Sequence, residues 1–197
     1  DLVLEAGAPE GSLTNLFVSY DQVSEIIADQ RVAGACLTGS ERGGRSVATE
    51  AAKSLKKSTL ELGGNDAFVV LEDADMDKLA EILPQTRLYN AGQVCTSSKR
   101  YIVPEKLVPQ FVNILKDGFS KVKMGDPLDR STTLAPLSSK KAKEKLTQQV
   151  QLAIDNGAKL EYGFEPVEDQ EGQFFMPTIL TGVTVENPIF DQEMFGP

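Results

Sequence analysis

The feature that most constrains this chain is an alternation near its start. Short apolar runs and helix-type patterns follow one another: Val32 to Leu37, then Ser46 to Lys57, then Thr59 to Leu62 and Ala67 to Leu71. An apolar run of four to six residues buries as a strand, whereas the helical stretch places Val47, Ala48, Ala51, Ala52 and Leu55 on one face. With Leu16-Phe17-Val18 as a strand and Val23 to Ala28 as a helix before them, Val32 to Leu37 and Ser46 to Lys57 complete the order strand, helix, strand, helix, which implies a parallel sheet because two parallel strands need a crossover between them. An α/β fold is therefore expected. Leu16-Phe17-Val18 reads as an earlier strand, and Val23 to Ala28 as a short helix capped by Asp21.

Further on, Asp75 is expected to cap a helix carrying Met76, Leu79, Ile82 and Leu83, with Pro84 breaking or kinking it. A turn is expected at Asn90-Ala91-Gly92, a strand at Arg100 to Val103, and an amphipathic helix from Lys106 to Val122. A lysine-rich helix from Ser139 to Asn156 should end at Gly157, with short strands near Leu160 and at Thr178-Ile179-Leu180.

Composition excludes more chemistry than it suggests. The 197 residues include no histidine, so neither a Ser-His-Asp triad nor a Cys-His dyad can be built from this chain. A nucleophile here must use a carboxylate, a lysine or water as its proton acceptor. The net charge of −9 argues against nucleic acid or an anionic membrane as a partner. No apolar run approaches a membrane span, and the first residues lack the pattern of a signal peptide. The two cysteines, Cys36 and Cys95, form no CxxC or zinc-type spacing, which suits a reducing, cytoplasmic setting. The absence of an initiator Met and the ending Phe195-Gly196-Pro197 suggest a cut or processed chain.

Four places could carry chemistry. Thr38-Gly39-Ser40 follows a strand and opens a helix, where outward N–H groups can hold a phosphate. Gly43 and Gly44 in the first turn would leave room for such a ligand; the competing reading is a tight turn with Ser40 as N-cap. Glu61 lies between two leucines and before Gly63-Gly64. Partial burial would raise its pKa toward that of a general base, although strand alternation favours a solvent-facing side chain until the two glycines, which suggest a sharp bend or a close ligand, are weighed. Cys95 stands among small and polar neighbours, Gly92-Gln93-Val94 and Thr96-Ser97-Ser98, and reads either as a reactive thiol or as an ordinary half-buried one. Cys36, in Val32-Ala33-Gly34-Ala35-Cys36-Leu37, fits a core position better. Glu193, before an aromatic residue and a Gly-Pro turn, could hold a ribose hydroxyl; alone, it is a loop residue.

In this order, Thr38-Gly39-Ser40, Leu60-Glu61-Leu62-Gly63-Gly64, Gly92-Gln93-Val94-Cys95 and Glu193-Met194-Phe195-Gly196-Pro197 resemble the aldehyde dehydrogenase superfamily, with Glu61 and Cys95 34 positions apart. Leu62-Gly63-Gly64-Asn65-Asp66-Ala67-Phe68-Val69-Val70 and Cys95-Thr96-Ser97-Ser98-Lys99-Arg100 are most similar to the bacterial succinate-semialdehyde dehydrogenases. The resemblance implies the second half of a Rossmann-like cofactor domain over residues 1–61, then an incomplete α/β catalytic domain over residues 62–197. It also implies NAD or NADP as cofactor, a small aldehyde as substrate, Cys95 as nucleophile and Glu61 as general base. Gly39 and Ser40 would meet the pyrophosphate, Glu193 the nicotinamide ribose, and Phe195 the nicotinamide pocket. Arg87 is the arginine available for a substrate carboxylate, since Tyr89 stands where some relatives carry one. A homo-oligomer is expected. The alternative is a folded piece that self-associates without turnover.

Overall fold

The computed structural model describes residues 2–167 and 172–197, which form two compact units, residues 1–63 and residues 64–197. The first unit begins with a four-residue helix α1 (Leu2–Glu5) and a stretch without regular structure through residue 19. The strand expected at Leu16-Phe17-Val18 is absent: Phe17 is 96% exposed and no neighbouring strand offers the segment a ladder. Helix α2 (Tyr20–Ala28) starts one turn earlier than its apolar pattern suggests. The cap is Ser19 rather than Asp21; Ser19 Oγ accepts from the Gln22 N–H while Gln22 Oε1 accepts from the Ser19 N–H, a reciprocal capping box.

Strand β1 (Gly34–Thr38) and strand β2 (Lys57–Glu61) pair in parallel, with α3 (Glu41–Lys53) as the crossover. The βαβ unit expected from the alternation is therefore present. Ser40 caps α3 and accepts from the Gly43 N–H at 3.2 Å, so the helix begins five residues before its apolar stripe. The space beside its two glycines is taken by protein. A Cβ on Gly44 would lie 2.7 Å from Leu62, and one on Gly43 would lie 3.2 Å from Leu37. These glycines let α3 pack close to its own strands; they are not openings for a ligand. Leu55, assigned to the buried face of α3, is 96% exposed in a left-handed turn after the helix. Cys36 is exposed, not core, because side chains alternate across β1 and this unit covers only the Ala35–Leu37 face.

The second unit holds a larger core. Strand β3 (Ala67–Val69) pairs in parallel with β4 (Arg100–Ile102), and β5 (Lys159–Tyr162) pairs antiparallel with β6 (Ile179–Thr181). Helices α4 (Met76–Leu88), α5 (Val108–Phe119) and α6 (Lys140–Asp155) supply most of the buried side chains, including Leu83, Phe111, Leu115, Phe119, Leu146 and Val150. Strand β3 is less buried than its apolar run implies, with Val69 58% exposed.

Asp75 caps α4 as expected, but Pro84 does not end the helix, which continues to Leu88. Pro84 packs against Gly118 of α5, where a Cβ would lie 2.1 Å from the ring. That close approach of two helices compensates for the hydrogen bond the proline removes. The helix expected at Lys106 to Val122 divides into a short 3-10 turn, Glu105–Leu107, and α5, whose first turn contains Pro109. Helix α6 runs from the Ser139 cap to Asp155, and Gly157 leaves it at a positive φ, as expected. Among the described residues, no helix is long and apolar enough to cross a membrane, and no group of three His, Cys, Asp or Glu residues could hold a metal ion.

Candidate active site

The two units each contribute candidate residues. In the first, Thr38 and Glu61 are register partners at the C-terminal ends of β1 and β2, and the Gly39 N–H donates to the Glu61 carbonyl at 2.9 Å. Gly39 and Ser40 then turn directly into α3. Glu61 and the start of α3 therefore share the carboxyl edge of a parallel pair, the edge at which open α/β sheets bind ligands. Among the described residues, the Glu41 and Arg42 N–H groups, first in the helix, have no acceptor, and a Cβ on Gly39 would make only ordinary contacts with Leu37. This edge fits a phosphate at a helix start. The partial burial considered for Glu61 is not found within this unit: its side chain is exposed.

In the second unit, the Cys95 turn is built from behind. Helix α4 ends at Leu88, and Asn90, Ala91 and Gly92 all take positive φ, reversing the chain. A Cβ on Gly92 would lie 2.2 Å from the Gly196 carbonyl, so only glycine lets the 193–197 segment lie this close. The side chain of Asn90 donates to the Gln93 carbonyl and that of Gln93 to the Asn90 carbonyl, which closes the turn. Cys95 follows, half-buried, with a free thiol.

Two buried cations secure this turn. The Arg87 guanidinium, in a residue 8% exposed, donates from Nη1 to Ser97 Oγ at 3.2 Å and to the Ser98 carbonyl at 3.4 Å. Its Nη2 donates to the Met194 carbonyl at 3.0 Å and to that of Gly196. Burial pushes its pKa down, opposed by the nearby Tyr101 and Glu193. Arg87 was expected to meet a substrate carboxylate. Both terminal nitrogens instead hold protein acceptors, so the paired donors a carboxylate would use are already committed. The signal missed in the sequence was position: Arg87 is in the last turn of an amphipathic helix, where a long side chain reaches the loop that follows.

The second cation, Lys99, was not singled out from the sequence. Its side chain is 2% exposed, and Nζ donates to the carbonyls of Val94 at 3.3 Å, Cys95 at 2.8 Å and Ser97 at 3.0 Å. It also lies 3.6 Å from Glu193 Oε1. The same carboxylate oxygen accepts from the Gly64 N–H at 3.2 Å. Glu193 is thus fixed by one oxygen, while among the described residues its Oε2 has no hydrogen-bond partner; a hydroxyl-bearing ligand fits that free oxygen. The Asn65 side chain donates to the Phe190 carbonyl at 3.0 Å, and the Arg100 guanidinium lies over the Phe190 ring at 5.2 Å, anchoring the start of this segment. Phe195 is 40% exposed and able to line a pocket. The structure therefore brings Cys95, Glu193 and the Gly92 turn together within one unit and places Glu61, Gly39 and Ser40 together in the other.

The aldehyde dehydrogenase family model matches residues 1–197. The chain belongs to the aldehyde dehydrogenase family. Its fold is the mixed α/β fold of that family, expected from the ordered motifs. It is 45% identical over 193 residues to a succinate-semialdehyde dehydrogenase [NADP(+)] of Deinococcus radiodurans, covering 98% of this chain and 40% of that relative. It is 38% identical to the succinate semialdehyde dehydrogenase [NAD(P)+] Sad of Escherichia coli K12, over 98% of this chain and 42% of that one. The crystal structure of succinic semialdehyde dehydrogenase from Streptococcus pyogenes in complex with NADP+ superposes with a TM-score of 0.96 at 61% identity, covering 100% of this chain and 43% of that one. The chain thus spans about two fifths of the length of these relatives.

Proposed function

We propose that this chain carries the nucleophile and general base of an NADP-dependent aldehyde dehydrogenase whose substrate is succinate semialdehyde. The observation that supports this most is the fixed turn around Cys95, held by Lys99 and Arg87 against the segment that contains Glu193. The names of the relatives support succinate semialdehyde as substrate and NADP as cofactor, with NAD as an alternative in the Escherichia coli relative. In this reading residues 1–61 form part of a dinucleotide-binding domain and residues 62–197 part of a catalytic domain, in a cytoplasmic homo-oligomer.

The Cys95 thiolate attacks the aldehyde carbon, forming a carbon–sulfur bond and leaving negative charge on the former carbonyl oxygen, which the Cys95 N–H stabilises. Bound NADP supplies the hydride acceptor that leaves Cys95 acylated. Ser40, Gly39 and the first N–H groups of α3 hold the pyrophosphate, Glu193 Oε2 holds a ribose hydroxyl, and Phe195 lines the nicotinamide pocket. Glu61 takes a proton from the water that hydrolyses the thioester, returning a free thiol and a carboxylate. Arg87 serves the substrate through the backbone it holds.

NADPH formation from succinate semialdehyde tests the reading in the purified chain. Where NADPH forms, all of it is expected to be lost in Cys95→Ser; full activity in Cys95→Ser would refute the assignment. The second reading, a folded chain that self-associates without turnover, is favoured by the exposed Leu16, Phe17 and Tyr20. Absence of NADPH together with a dimer or larger species in light scattering would select it.

A further inference from the structure

Lys99 has a task that satisfying carbonyls does not exhaust. An ammonium whose side chain is 2% exposed is costly to bury, and this one sits behind the proposed nucleophile with three N–H donors for three carbonyls, one more than a neutral amine or amide offers. We propose that Lys99 is a positioning residue for Cys95: by gathering the carbonyls of Val94, Cys95 and Ser97 on one side of the turn, it holds the Cys95 and Thr96 N–H groups on the other, where they meet the oxyanion formed when the thiolate attacks a carbonyl carbon.

The argument is geometric. All peptide bonds here are trans, so the carbonyl of each residue and the N–H of the next point in opposite directions. Nζ donates to Val94 O and Cys95 O, which directs the Cys95 and Thr96 N–H groups away from the lysine. Among the described residues neither N–H has an acceptor, whereas the Ser97 N–H is already taken by the Val94 carbonyl at 3.1 Å. Two such donors beside a thiol, on a turn fixed from behind, have the arrangement that stabilises an oxyanion. The ammonium is balanced by Glu193, so the residue that holds the turn also holds the carboxylate assigned to the ribose. This inference rests on Cys95 being the nucleophile.

The test compares two reactions of the same thiolate. Acylation by p-nitrophenyl acetate forms the carbon–sulfur bond through a tetrahedral oxyanion and expels p-nitrophenolate with the electron pair. Alkylation by iodoacetamide displaces iodide and develops no oxyanion. Because both consume thiolate, their rate ratio cancels any change in thiol ionisation. The Cys36→Ser chain leaves Cys95 as its single thiol. In that background Lys99→Met is expected to lower the acylation-to-alkylation ratio roughly tenfold or more, short of the roughly 100- to 1000-fold that outright loss of one oxyanion donor costs. A purely structural role would slow both reactions together and leave the ratio within about twofold, which would overturn the proposal.

The pH dependence needs no substitution at Lys99. Burial lowers the pKa of Lys99; Glu193 and Asp66 oppose that shift and Arg87 adds to it. The ratio in the Cys36→Ser chain should therefore be flat near neutrality and fall at alkaline pH, below the ordinary lysine range, whereas Lys99→Met should show no such fall. A ratio that stays flat through that range would contradict the proposal even if Lys99→Met fails to fold. Absence of an acylation burst in the Cys36→Ser chain, with normal alkylation, would instead overturn the assignment of Cys95 as an acyl-accepting nucleophile. A burst insensitive to Lys99→Met would overturn only the role of Lys99.

Discussion

The two units invest very differently in the residues they present. Among the described residues of the first, only Ile27, Gly44 and Ala51 are buried, and the sheet has two strands. The second buries a continuous cluster from α4, α5 and α6, together with a guanidinium and an ammonium that hold one turn. The proposed nucleophile is thus over-determined by its surroundings, and the proposed base is not: Glu61 is exposed at a strand end and fixed through its backbone alone. Precise placement of a reacting atom is worth many kcal/mol only if the support is rigid, so the unit with the larger core is the one equipped to hold a strained, pre-aimed turn.

The largest expected effect breaks the better-supported unit. Gly92→Ala places a Cβ at 2.2 Å from a backbone carbonyl at a φ of +70°, and neither side can move without displacing the Arg87 contacts. A loss of about 4 kcal/mol in urea unfolding is expected, in the upper range for single substitutions. A loss below about 1 kcal/mol, the size of an ordinary surface change, would mean that the 193–197 segment does not pack on the turn.

Acid comes next. Hydrogen bonds from Lys159, Thr181 and Lys116 lower the pKa of Glu161 to about 2. A carboxylate whose folded pKa is depressed stabilises the fold above its unfolded value of 4.5 and loses that contribution as pH falls through 2. Glu161→Gln should therefore flatten the decline in stability between pH 4.5 and pH 2 and reduce stability at neutral pH. Unchanged pH dependence of urea midpoints would refute this. The smallest effect sharpens the thinner unit. Leu55 is 96% exposed at a φ of +55°, so Leu55→Gly removes backbone strain and loses no packing. Relief of strain exceeds the added chain entropy of glycine by about 0.5 kcal/mol, and a higher midpoint of unfolding should show it.

Much of this was legible in the residues, for reasons that also explain the failures. The crossover from β1 through α3 to β2 follows from periodicity, because side-chain spacing and the parallel pairing are local consequences of the pattern. Leu16-Phe17-Val18 has the same pattern and forms no strand, because a strand needs a neighbouring ladder, and sequence alone does not say whether one is there. Pro84 stays inside α4 because Gly118, 34 residues away, makes room for its ring. Lys99 escaped notice since its neighbours Ser98 and Arg100 look like ordinary surface residues; only the fold of the turn points three carbonyls at it. The Glu193 motif read alone as a loop, and its meaning came from contacts more than ninety residues distant along the chain, those with Arg87 and Lys99.

The proposed acyl transfer through Cys95, with hydrolysis driven by Glu61, can be caught by trapping the acylated protein. The Glu61→Gln protein is incubated with succinate semialdehyde and NADP, quenched in acid and mapped by mass spectrometry. A hydroxylamine-labile succinyl group on Cys95, accumulating in Glu61→Gln above the level in the unmodified chain, is the predicted result. Succinylation absent from Cys95, or equal in the two proteins, would contradict it.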